Sequence, residues 1–131
     1  MATVGNTKWF DAPTTPSLGL PDSSEAQALI TKRFPDKPYC LVEEWTVFHV
    51  EVTDEELVKL TEAGLLPLIV FAHKVVEDSR GRFQPGDFVR STMARSFEDG
   101  VFLETRNTVY VFFGPGHQQP ASLKDIFSIF N

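Results

Sequence analysis

A single cysteine, Cys40, stands in 131 residues. Neither an internal disulfide nor a cysteine-based zinc site can form from it. So little thiol suits a reducing compartment, and a cytoplasmic location is the expectation. Long apolar runs are missing too. The longest, residues 65–72, is interrupted by Pro67 and is far too short to span a bilayer. The first residues show no basic stretch followed by an apolar one, so no secretory signal is expected. Positive charge is in deficit: 12 Lys and Arg against 18 Asp and Glu give a net charge of −6. Such a chain repels a phosphate backbone, which argues against direct nucleic-acid binding. It fits a partner with a basic surface instead.

Motifs that specify a reaction are also lacking. Cys40 opens a strand-like stretch with no helix N-terminus after it, so nothing lowers its pKa for nucleophilic work. His49, His73 and His117 have no helical or hairpin ligand spacing and no neighbouring carboxylate cluster, so no metal is expected. Gly114-Pro115-Gly116 follows an apolar stretch but lacks the Lys-Ser/Thr ending of a phosphate loop, and Pro115 removes an N–H. It reads as a chain reversal before the last helix. No cofactor is implied by any of these patterns.

What the chain has in quantity is phenylalanine, 12 residues concentrated from Phe71 onward. Aromatic burial of that density supports a core in the later part of the sequence. Residues 1–22, with Pro13, Pro16 and Pro21, read as a flexible arm whose one anchor is Trp9-Phe10. Residues 23–131 read as one domain. Ser23 or Ser24 caps a helix that buries Ala26, Leu29 and Ile30 and stops before Pro35. Residues 41–52 form a strand whose apolar face changes near Thr46, the mark of burial on both sides or of a bulge. Thr53-Asp54-Glu55-Glu56 is a capping box, and its helix is expected to bury Leu57 and Leu60. Strands follow at residues 68–77, 88–96, 101–105 and 108–113, with turns at 98–100 and 106–107. Ser122 caps a last apolar helix carrying Ile126, Phe127, Ile129 and Phe130. The expected architecture is α+β: a mostly antiparallel meander of about five strands with two or three short helices. A sheet curled toward a half-open barrel is the alternative.

The densest polar set among these strands is Arg90, Thr92, Glu104, Arg106 and Tyr110. On a meander, alternate residues share a face, which would set Arg90, Glu104 and Tyr110 side by side. A guanidinium oriented by a carboxylate beside a phenol is a binding surface, with His73 as a possible acid–base group. The same stretch carries a resemblance. Arg82-Phe83-x-x-Gly86-Asp87-Phe88-Val89-Arg90-Ser91, then Phe102-x-Glu104-Thr105-Arg106-Asn107-Thr108-Val109-Tyr110 and Gly114-x-Gly116, resembles a family of small bacterial proteins catalogued as a domain of unknown function. That family often lies in accessory or prophage regions. The likeness spans roughly residues 40–116 and brings no catalytic residues with it. It implies a bacterial, cytoplasmic protein with a place in phage–host or inter-bacterial conflict.

Together these features point to a non-enzymatic protein-binding module, an inhibitor or adaptor. It would engage a protein partner or a second copy through Trp9, Phe10, Ile126, Phe127, Ile129 and Phe130. Two other readings stay open. One is a small-ligand binder or enzyme using the face around Arg90, Glu104 and Tyr110. The other is a nucleic-acid mimic built on acids such as Glu43, Glu51, Asp54, Glu55 and Glu62.

Overall fold

β2 (Tyr39–Val50) is the strand around which the molecule is organised, because it is paired along both edges. A computed structural model describes residues 15–21, 23–98 and 100–129. Among the described residues there are eight strands in one sheet and three helices. The other strands are β1 (Thr15–Leu18), β3 (Leu68–Asp78), β4 (Val89–Arg90), β5 (Ser96–Glu98), β6 (Phe102–Glu104), β7 (Val109–Phe112) and β8 (Pro115–Ala121). The helices are α1 (Ser23–Arg33), α2 (Asp54–Glu62) and α3 (Leu123–Ser128).

The sheet is mixed, not the antiparallel meander that the turn spacing suggested. Consecutive antiparallel pairs do exist, β2 with β3, β3 with β4, β5 with β6 and β6 with β7. However, β7 and then β8 both run parallel to β2. The reason lies at Gly114-Pro115-Gly116. The chain does not reverse there but bends at Gly114, φ +67°, and continues beside β2 as β8. A meander that meets its first strand after an even number of reversals has to meet it parallel. The sheet is strongly curled into a half barrel, as the alternative reading had it. Its borders approach at neighbouring residues: Ala94 N–H donates to Leu68 O at 2.9 Å, and Arg95 N–H donates to Glu104 O at 2.6 Å. The expected strand over residues 88–96 is therefore split into β4 and β5 by an irregular stretch.

β2 is buried on both faces and kinked. Cys40 and Val42 share one core cluster with Trp45 and Val47, so the inward parity changes from even to odd. Glu44 makes the change, the one non-glycine among the described residues with positive φ, at +54°. The opposite side of the sheet carries two further clusters. α1 places Ala26 and Ile30 against Leu41, Phe102 and Val111. α3 places Ile126 against Phe48, Ile69 and Phe71. The helix starts at Ser23, while the side chains of Ser23 and Ser24 lie outside the described residues.

Two expectations about the early chain need correcting. Residues 15–18 are not irregular: they form β1, antiparallel to β8. Pro16 is tolerated because β1 is an edge strand, where a missing ladder N–H costs little. Second, α2 buries neither Leu57 nor Leu60. No residue of α2 is buried, and Leu57 and Val58 are 42% and 56% exposed. The local signal was read correctly, since Thr53 and Glu56 close a reciprocal capping box at 3.1 and 2.8 Å. The burial was assumed: among the described residues Leu60 is only partly covered, beside Met93 and Leu123. Thr53→Ala should therefore cost about 1 kcal/mol. It should appear chiefly as lost hydrogen-exchange protection in α2, because a helix this short with no buried residue is marginal.

Candidate functional site

Arg90, Glu104 and Tyr110 do not share a face. In the β6–β7 ladder Leu103 stands opposite Tyr110 and Glu104 opposite Val109, so the carboxylate and the phenol project to opposite sides. Tyr110 is buried in the cluster of Cys40, Trp45 and Phe112. Burial pushes its hydroxyl up to about 12, and the Cys40 thiol is likewise pushed up to about 12 by burial and by nearby Asp78. Neither is a nucleophile at neutral pH. Glu104 holds Lys37 of the α1–β2 connection at 2.6 Å and accepts from Ser96 Oγ at 3.1 Å. Burial alone would raise its carboxyl, but Lys37 and Ser96 outweigh that and hold it below the usual range.

Arg90 lies on the α3 side. Its guanidinium carbon sits 4.5 Å from the centre of the Phe127 ring, within cation–π range. Phe127 is 45% exposed, whereas Ile126 is fully buried and Ile129 packs partly against the same cluster. Trp9, Phe10 and Phe130 lie outside the described residues. His73 is exposed and meets the Phe71 ring edge-on at 4.8 Å. It lines a separate shallow cleft of about 280 Å³ with Glu44, Trp45 and His117. Among the described residues no group of three or more His, Cys, Asp or Glu is arranged to hold a metal ion.

What the fold does assemble is a groove around Met93, a residue no sequence pattern singled out. Three adjoining cavities share it. One of about 320 Å³ runs between Arg90, Leu123 and Phe127. One of about 260 Å³ lies between Leu60, Lys59 and Leu123. One of about 310 Å³ lies between Leu65, Thr92 and Arg106. The groove is thus floored by the irregular stretch between β4 and β5 and walled by α2 and α3. That stretch is pinned from below: Ser91 Oγ accepts from Val70 N–H at 2.9 Å and donates to Thr92 O at 2.8 Å. The lining is mostly apolar, with Glu56 and Lys59 on the α2 wall, and a guanidinium stands at each end, Arg90 at one and Arg106 at the other. Thr92, Arg90, Arg106 and Phe127 are all residues that the sequence singled out, drawn from two separate lists and brought to one surface. Glu104, Tyr110 and His73 are not part of it. Met93 was missed because a lone methionine in a polar run has no periodic signal, while Leu123 stood out only as an apolar residue of the last helix.

Over residues 17–128 the chain matches the family described as a domain of unknown function, DUF6957. No curated protein and no solved structure matches it. Among the described residues no helix is long and apolar enough to cross a membrane.

Proposed function

Because the chain belongs to the DUF6957 family, whose description assigns no activity, we propose from its geometry that it is a non-enzymatic protein-binding module whose docking surface is the Met93 groove. The resemblance noted above adds a setting to this proposal: an adaptor or inhibitor in a bacterial accessory or phage-related system. The observation that carries the reading is the groove itself, three contiguous, mostly apolar cavities between an unburied helix and a part-exposed phenylalanine. Exposed apolar surface of this kind marks interaction sites on proteins.

The competing readings have less support. The ligand or enzyme reading needed Arg90, Glu104 and Tyr110 around one pocket, and they lie in three environments. In the mimicry reading one of the acids, Glu43, is already paired with Lys74 at 3.4 Å.

Met93→Lys tests the proposal. Met93 lies at the surface of its cluster rather than within it, so the variant should melt close to the wild type. In affinity capture from a bacterial lysate, partners retained by the wild type should be lost by the variant. Identical captured sets would refute the groove as the docking surface.

A further inference from the structure

The helix that walls the Met93 groove turns a second face away from it. We infer that this outer face of α2 is a docking strip for a basic amphipathic segment of a protein partner. Leu57 and Val58 would meet the partner's apolar side chains, and Asp54, Glu55 and Glu62 its lysines or arginines. The strip is separate from the groove, so it goes beyond the reading above and is tested independently of it.

Glu56, Lys59 and Leu60 line the groove. With 3.6 residues per turn, the far side of the helix is Asp54, Leu57, Val58 and Thr61, at the spacing i, i+3, i+4 and i+7, with Glu55 and Glu62 along one flank. Leu57 and Val58 are exposed there. Helix stability does not account for this composition. Val58 is β-branched, which lowers helix propensity, and an exposed position gives it no packing in return. Acids in the first turn suit the helix dipole, which gives Asp54 and Glu55 a structural reason. Glu62 has none: it stands at the C-terminal end, where a cation is favoured. Among the described residues Asp54, Glu55 and Glu62 join no salt bridge. The one lysine of the helix, Lys59, lies on the groove side. The ends of the helix are also tied. The capping box closes the first. Beyond the second, Leu66 N–H donates to Ala94 O and Val50 N–H donates to Pro67 O, both at 2.8 Å. A helix formed before binding loses less conformational freedom in the complex. Charge then chooses the occupant. An acidic segment, a nucleic acid or the α2 of a second copy brings like charge to the strip. A partner held by charge alone leaves Leu57 and Val58 uncovered. A basic amphipathic segment covers both and sets its cations beside the flanking acids, as paired helices do.

Methyl spectroscopy of the full chain reads the two surfaces separately, because the Leu57 and Val58 methyls report the strip and the Met93 methyl reports the groove. The probes are two synthetic helical peptides with the same Leu positions, one carrying Lys at the polar sites and one carrying Glu. A single-stranded RNA oligonucleotide is the third probe. The Lys peptide should move the Leu57 and Val58 signals and bind at least about ten-fold more tightly than the Glu peptide, with the margin shrinking in high salt. Glu62→Lys separates docking from folding. It removes the unfavourable charge at the helix end, so hydrogen-exchange protection of α2 should hold or rise. The preference for the Lys peptide should nevertheless narrow or reverse. Equal binding of both peptides, no movement of Leu57 and Val58 with the Lys peptide, or movement with the RNA would overturn the inference. So would a Lys peptide that moves Met93 and spares Leu57 and Val58, an outcome that leaves the groove standing as the docking surface. Strip signals that shift with protein concentration alone would make the occupant a second copy, which also overturns it.

Discussion

Gly116→Ala should lose about 3 kcal/mol of unfolding free energy, the upper end of what an overpacked core costs. One added methyl group does this because of what lies against it. A Cβ built on Gly116 would fall 2.3 Å from two ring atoms of Trp45, far inside contact distance. The ring has nowhere to move. It is buried, stacks on Phe112 with centroids 4.5 Å apart, and donates from Nε1 to the carbonyl oxygens of Phe113 at 3.2 Å and Gly114 at 3.3 Å. Displacing it breaks the stack and the indole N–H bonds to Phe113 and Gly114, although the Gly114 carbonyl keeps the Gly19 N–H at 2.8 Å. Gly81→Ala is the comparison that isolates the cause. Gly81 has φ +66° but nothing within 4 Å of a built Cβ, so only backbone strain of about 1 kcal/mol applies. Urea titration of both variants separates the mechanisms. Equal losses would mean that the indole yields to the methyl group.

Asp78→Ala should be about as costly, roughly 3 kcal/mol, and its cost should depend on pH. The Asp78 side chain is fully buried at the end of β3. It receives Arg82 Nε at 3.0 Å, Arg82 Nη2 at 2.7 Å and the Arg82 backbone N–H at 2.7 Å. Arg82 in turn donates from Nη1 to Thr108 Oγ1 at 2.8 Å, tying the loop after β3 to the start of β7. The guanidinium side chain is 35% exposed, so water recovers part of what the variant loses. Burial alone would raise the Asp78 carboxyl, but the hydrogen bonds and charge of Arg82 hold it below its ordinary 3.8. A carboxylate depressed in the folded state stabilises above its unfolded value and ceases to do so as pH falls through the folded one. The gap between wild type and variant should therefore be full at pH 7 and shrink below about pH 4. Glu104, also depressed, contributes with the same sign in the wild type and the variant and cancels in the difference. A gap unchanged at pH 3 would show that packing, not charge, makes the latch.

The local signals in the sequence were sound, and the long-range ones were not. The capping box at Thr53, the helix that Ser122 caps and the double-faced burial of β2 all depend on residues a few positions apart, and the structure contains them. The pairing of β2 with β7 and β8 depends on no local pattern, so the parallel ladder was invisible. Gly114-Pro115-Gly116 carried the usual composition of a reversal. Its real task, letting the chain bend against the Trp45 ring, needs a partner far away in sequence. The same limit explains the site. Arg90, Thr92, Arg106 and Phe127 stood out by residue type, but grouping them required knowing that the stretch between β4 and β5 leaves the ladder. Tyr110 was misplaced because that irregularity, together with the parity of the β6–β7 ladder, decides which side of the sheet each residue faces.

The contact that seals the interior joins Trp45 to Phe113, 68 positions later. Ribosomal synthesis delivers the two ends of that contact several seconds apart at ordinary elongation rates of about 5–20 residues per second. Until β8 has emerged, the inner side chains of β2 and β3 have no lid and face solvent or a chaperone. Assembly is thus gated by the arrival of the last strands, and a prematurely terminated product ending before residue 109 should be sticky and short-lived rather than partly functional.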